Sequence, residues 1–121
     1  MMRVLIVDDS EIVRRGIKDL FAPAGSWDVC GEASDSEEAL RQAQTLQPDV
    51  ILLDISMPGT DGLETARLLR KQIPEAKILI MSQHDASLLT PVAIEAGANG
   101  CVDKSRLSAD TLSGILNQLC C

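Results

Sequence analysis

The sequence predicts an α/β protein, a doubly wound (βα)5 sandwich on a five-stranded parallel sheet. Three observations carry this. Five short apolar runs recur along the 121 residues, and three of them are built almost wholly of Val, Ile and Leu, the signature of strands buried on both faces. Segments of helical periodicity separate each run from the next. Doubly buried strands joined by helical crossovers pair in parallel, with helices on both sides of the sheet.

Val4 to Val7 form the first run, and Ile12, Val13, Ile17, Leu20 and Phe21 follow on one predicted helical face. Pro23 with Gly25 ends that helix. The second run, Val29 to Ala33, is broken by Gly31 and Glu32. Ser34, with Glu37 three residues on, predicts a capping box for a helix carrying Leu40, Ala43 and Leu46 that stops before Pro48. Val50 to Leu53 is the third run, and Leu63, Ala66, Leu69 and Ile73 make the stripe of the third helix, ended by Pro74. After Ile78 to Met81, a fourth helix runs up to Gly97, a good residue for the position just past a helix end. A mid-helix proline costs about 3 kcal/mol, so this helix is expected to start late, with Thr90 as its cap and Pro91 in its first position. The weaker run Cys101 to Val102 is the fifth strand. Leu112, Ile115, Leu116 and Leu119 line a fifth helix behind Ser108 as its cap.

A chain this long buries a core without staples, and one domain over residues 1–121 is expected. Eighteen acidic against eleven basic residues give a net charge of -7, which repels nucleic-acid backbones and anionic lipid. Only Phe21 and Trp27 are aromatic, so base-stacking platforms are lacking. No apolar segment approaches a membrane span, and "MMRVLIVDD" holds too short an apolar run for a secretory signal. Cys30, Cys101 and the terminal pair Cys120 and Cys121 lack zinc or disulfide-framework spacing, which points to the reducing cytoplasm.

In such sheets ligands bind beyond the carboxyl ends of the strands, where strand order reverses. Those ends deliver Asp8 and Asp9 after the first strand, Asp54 after the third, Ser82 after the fourth and Lys104 just after the fifth. Any one of these alone is the polar residue that ends most strands. Together they are not, because carboxylates gathered within about 5 Å repel by roughly 3 kcal/mol per pair at an effective dielectric of 20. A divalent cation resolves the repulsion, and few carboxylates with open positions suit Mg²⁺, with Mn²⁺ as a possible substitute. Lys104 adds the compact positive charge that a transferring phosphoryl group requires, Ser82 a hydroxyl donor, and Asp54 a carboxylate nucleophile.

From end to end the chain resembles a receiver domain of a two-component response regulator. The stretches that carry the resemblance are "VLIVDDSEIVRRGI", "GEASDSEEAL", "PDVILLDISMPGTDGLE", "KILIMSQHD" and "EAGANGCVDKS". It implies the flavodoxin-like strand order 2-1-3-4-5 and a cytoplasmic signalling switch rather than an enzyme acting on outside substrates. It further implies that Asp54 accepts a phosphoryl group from a sensor histidine kinase or phosphotransfer protein. Asp9, Asp54 and the backbone carbonyl of Ser56 would bind Mg²⁺ directly, Asp8 through a water. Ser82 would be the switch hydroxyl and Lys104 its partner on the phosphoryl group. Ser56 and His84 would modulate water access at the rim, and "MPG" at Met57 to Gly59 would shape the loop beside the site. "VRRGI", "GLETARLLR" and "GANGCVDKS" look most like receivers that precede a LuxR-type helix-turn-helix output, absent from this chain. Such receivers can dimerise on phosphorylation.

Three positions depart from the family pattern, Pro91 in the fourth helix being one of them. The family usually has Tyr or Phe three residues before the lysine, where this chain has Cys101, too small to act as a swinging ring. Ser105, after the lysine, is a tolerated variant. The rival readings are a free-standing receiver acting by protein–protein interaction, a Mg²⁺-dependent aspartyl-nucleophile phosphatase and a flavodoxin. The phosphatase needs a D-x-D pair where this chain has "VDDSE", and the flavodoxin needs a Ser, Thr and Gly loop where this chain puts two carboxylates.

Overall fold

The computed structural model of the chain describes residues 2–21, 27–57, 61–83, 86–106, 108, 111 and 114, the side chains of 86–89 and 106 excepted. Five strands, β1 (Met2–Val7), β2 (Trp27–Ala33), β3 (Val50–Asp54), β4 (Lys77–Ser82) and β5 (Gly100–Asp103), alternate with helices α1 (Glu11–Phe21), α2 (Ser36–Leu46), α3 (Gly62–Gln72) and α4 (Ala86–Glu95). A short 3-10 turn over Lys104–Arg106 closes β5. All strand pairs are parallel and the order is β2-β1-β3-β4-β5, as the resemblance implies.

The sheet has a core on each face. On one, Val4, Ile6, Leu52 and Met81 meet Ile17 and Phe21 of α1. On the other, Leu5, Ile51 and Ile80 meet Ala43 of α2, Leu69 of α3 and Ala93 of α4. Strand residues 4–7, 50–53 and 78–81 are completely buried, which is why their sequence reads as unbroken apolar runs rather than as alternation. Phe21 and Trp27 stack obliquely at 6.0 Å, and Trp27 opens β2 rather than preceding it.

Several local expectations change. Ile12 is 81% exposed, because the buried side of α1 is set by Ile17 and Phe21, and Val13 and Leu20 complete that side. The cap of α2 is Asp35, whose Oδ1 accepts from Glu38 N–H at 2.8 Å; Ser34 stands one residue too early. The left-handed residue that stops α2 is Gln47. Asp61 caps α3 by accepting from Leu63 and Glu64 N–H.

The helix α4 begins at Ala86, so Thr90 is internal to it and Pro91 is mid-helix. Pro91 is exposed, so the proline ring itself lies on the watered side of the helix. Gly97, at φ +99, ends α4 as expected: its N–H bonds Ile94 C=O at 2.9 Å and Ala98 N–H bonds Ala93 C=O at 3.0 Å. Arg70 of α3 then locks this turn. Its guanidinium donates to the carbonyls of Gly97 (2.8 Å), Pro74 (2.8 Å) and Ala76 (2.6 Å) and to Asn99 Oδ1 (2.7 Å). The fifth helix lies mostly outside the described residues, as do Pro23, Gly25, Cys120 and Cys121; Ser108 Oγ does accept from Thr111 N–H at 3.1 Å, a cap bond.

One irregularity positions the site. Val4 faces Val29 but Leu5 faces Gly31, so Cys30 is an extra residue bulged out of the β1/β2 ladder. Beyond the bulge Glu32 lies opposite Ile6 and Ala33 opposite Val7. Since Ile6 faces the α1 side and Val7 the other, the bulge turns Glu32 toward α1 and Ala33 into the core.

Candidate functional site

The strand order reverses between β1 and β3, where chains depart to opposite sides and leave a crevice at the carboxyl ends. Val7 pairs with Leu53, so Asp8 and Asp54 emerge side by side. Ser82 pairs with Asp103 at the ends of β4 and β5, which puts Lys104 next along the same edge. The register alone therefore brings the sequence-predicted polar residues to one line.

Ligand oxygens of Asp8, Asp9 and Asp54 all lie within 4.8 Å of one another. Asp8 and Asp54 are buried, Asp9 is exposed. Lys104 Nζ bridges the two buried carboxylates, 2.7 Å from Asp8 Oδ2 and 3.0 Å from Asp54 Oδ2. Burial alone would lower the Lys104 ammonium, but hydrogen bonding and charge attraction from Asp8 and Asp54 outweigh it and hold the group above its ordinary 10.5. Asp54 Oδ1 accepts from Ser56 N–H at 2.8 Å, and Asp8 Oδ1 from Ser10 N–H at 2.9 Å. Ser82 is fully buried at the end of β4.

The donor set fits a hard divalent cation. It is all oxygen, three carboxylates against one ammonium leave a net negative charge, and Asp8 Oδ2 is buried, with Lys104 Nζ its sole partner among the described residues. Magnesium is the natural candidate for so few protein oxygens beside an open crevice.

Cys101 lies two positions earlier on β5 than Asp103, opposite Ile80, half-buried against the core of the α2–α4 face. Burial, with the charge of Asp103 added, pushes its thiol above the ordinary 9.0, so at neutral pH it is a small apolar group. Ser105 donates through both N–H and Oγ to Asp103 Oδ1 at 2.9 and 2.7 Å. His84, Pro58 and Gly59 lie outside the described residues.

Sequence reasoning missed Arg14 and Glu32. Arg14 Nη1 donates to the Asp8 carbonyl at 2.6 Å, and its Nε meets Glu32 Oε1 at 3.0 Å. The signal was present as the break that Glu32 makes in an apolar run.

The chain matches the response regulator receiver domain over residues 4–116. It is 37% identical over 112 residues to the transcriptional regulatory protein LnrK of Bacillus subtilis, covering 93% of this chain and 50% of that protein. To the nitrate/nitrite response regulator protein NarL of Escherichia coli it is 37% identical over 114 residues, with 93% and 52% covered. The crystal structure of a LuxR-family two-component response regulator from Aurantimonas, 36% identical, superposes with a TM-score of 0.89 over 99% of this chain and 86% of that one. The chain spans about half the length of the curated relatives it matches. Among the described residues no helix is long and apolar enough to cross a membrane. With the flavodoxin-like strand order, the strand-end carboxylates and a family match over nearly its whole length, the chain belongs to the response regulator receiver domains of two-component systems.

Proposed function

We propose that this receiver accepts a phosphoryl group on Asp54 from a sensor histidine kinase or phosphotransfer protein in the cytoplasm, and that the transfer depends on a divalent cation. The observation that carries the reading is the bridge from Lys104 Nζ to Asp54 Oδ2 and Asp8 Oδ2 at 3.0 and 2.7 Å, which presets a positive charge beside the carboxylate proposed to take the phosphoryl group. Asp54 Oδ2 forms the new bond to phosphorus as the bond to the donor imidazole nitrogen breaks, and the imidazole leaves with that electron pair and takes up a proton. Lys104 moves with the charge from carboxylate to phosphoryl oxygen. Ser82 supplies a hydroxyl to the same group. The Ser56 N–H holds Asp54 Oδ1, so only one carboxylate oxygen is presented for attack.

Mg²⁺, or Mn²⁺ in its place, would be held by Asp9, Asp54 and the Ser56 carbonyl, with Asp8 acting through water. When bound it supplies neutralising charge for the phosphoryl oxygens and for the crowded carboxylates. Ser56 and His84 would tune water access and hence the lifetime of the phosphoryl group. Since the relatives are about twice as long and two bear names of transcriptional or nitrate-response regulators, the output proposed for the phosphorylated state is control of a DNA-binding domain, with dimerisation as one route.

Incubation with acetyl phosphate and Mg²⁺ is expected to add one acid-stable, base-labile phosphoryl group, located on Asp54 by mass spectrometry. Labelling of Asp54→Asn to the same extent overturns the assignment.

A further inference from the structure

Arg14 does not touch the carboxylate cluster, yet it holds the peptide that carries it. Its Nη1 donates to the backbone carbonyl of Asp8 at 2.6 Å, and that carbonyl belongs to the peptide joining Asp8 to Asp9. The guanidinium is itself fixed, because its Nε pairs with Glu32 Oε1 at 3.0 Å while Lys18 takes Glu32 Oε2 at 2.7 Å. The Arg14 side chain is only 15% exposed. Glu32 is within reach because the Cys30 bulge turns it toward α1. Asp8 N–H is bonded to Ala33 C=O at 3.0 Å, so both polar backbone atoms of Asp8 are anchored, one to the strand β2 directly and one through Arg14 to the same strand.

We propose that Arg14, oriented by Glu32, is a positioning residue for cation binding: by fixing the Asp8–Asp9 peptide it sets where the Asp9 carboxylate stands relative to Asp8 and Asp54. The inference rests on the cation reading given above. Charge alone predicts the opposite sign. Arg14 is a cation near three carboxylates, so its removal relieves competition and tightens Mg²⁺ if electrostatics is all it contributes. If its carbonyl bond orients the ligand set, removal weakens Mg²⁺, as loss of groups that orient metal ligands generally does. Arginine suits the task because its planar fork reaches carbonyl and carboxylate together, which a lysine ammonium does not.

The test is Mg²⁺ titration at constant ionic strength, followed by amide chemical shifts, with urea unfolding of each protein in parallel. Arg14→Met is expected to bind Mg²⁺ about tenfold more weakly. The charge-exchanged pair, Arg14→Glu with Glu32→Arg, is expected to regain stability without regaining affinity, since a carboxylate at position 14 has no proton to donate to the Asp8 carbonyl. Should Arg14→Met not fold, Glu32→Gln, which keeps the size of the side chain but loosens the guanidinium, is expected to show a smaller loss in the same direction. Unchanged or tighter Mg²⁺ binding by a folded Arg14→Met, or by Glu32→Gln where that variant stands in, overturns the inference, as does full recovery of affinity in the exchanged pair. A wild-type protein that does not bind Mg²⁺ overturns the cation reading and this inference with it.

Discussion

Lys104 Nζ lies 3.0 Å from Asp54 Oδ2, occupying with its ammonium the carboxylate oxygen that a phosphoryl group would need. The same nitrogen is 2.7 Å from Asp8, so one cation serves two buried anions. Lys104→Ala is therefore expected to raise Mg²⁺ affinity, about fivefold for a charge worth ~1 kcal/mol in this partly watered crevice. It is expected also to lose the chemical-shift response of β4 and β5 to beryllofluoride, a phosphoryl analogue. A wild-type response in that variant would place Lys104 outside the switch.

Asp8 and Asp9 are adjacent but unequal. Asp8 commits Oδ1 to Ser10 N–H and Oδ2 to Lys104, whereas Asp9 is exposed at the mouth of the cluster. Asp9→Asn is expected to lose more Mg²⁺ affinity than Asp8→Asn, measured by the same titration. Equal losses would contradict the division into a direct ligand and one acting through water.

Arg70 of α3 ties two loops together, donating to Pro74 and Ala76 carbonyls between α3 and β4 and to Gly97 C=O and Asn99 Oδ1 after α4. Arg70→Met leaves these oxygens to find water and is expected to cost about 2 to 3 kcal/mol in urea unfolding, the scale of hydrogen bonds to a charged donor. Arg70→Lys is expected to recover only part of it, because an ammonium does not match the planar fork.

Glu32 should leave its mark on acid stability. Hydrogen bonding from Lys18, joined by that from Arg14, outweighs the effect of burial and holds its carboxyl below the ordinary 4.5. A carboxyl depressed on folding contributes stability that is full above its unfolded value and is lost as pH falls through the folded one. The urea midpoint of the wild type is thus expected to fall more steeply below pH 4.5 than that of Glu32→Gln. Parallel acid limbs would show that the ion pairs do not stabilise the folded state.

Much of the fold was legible in the chain because burial on both faces writes a continuous apolar run. Val50 to Leu53 could hardly be anything but an interior strand, and Asp54 is the buried carboxylate that ends it. Gly97 likewise announced the end of α4, since a left-handed residue there needs no partner from elsewhere in the chain. Such features depend on neighbours in sequence.

What sequence left undecided depends on neighbours in space. Ile12 is as apolar as Ile17, and only the packing of α1 against β1 and β3 leaves one in water and the other in the core. Pro91 sits inside α4 because its exposed side tolerates a missing bond, a fact that local propensity does not contain. Most telling is the Cys30 bulge. A residue inserted in one strand of a parallel pair inverts the facing of everything after it, and nothing in "VCGEA" states which residue will be the extra one. The α/β class, the strands and the carboxylates, lysine and serine at their ends follow from the sequence, because an unbroken apolar run closed by a polar residue is a local record of burial. The tertiary structure alone decided that Glu32 would face α1, meet Arg14 and through it hold the Asp8 carbonyl, because strand register is settled by pairing between distant segments.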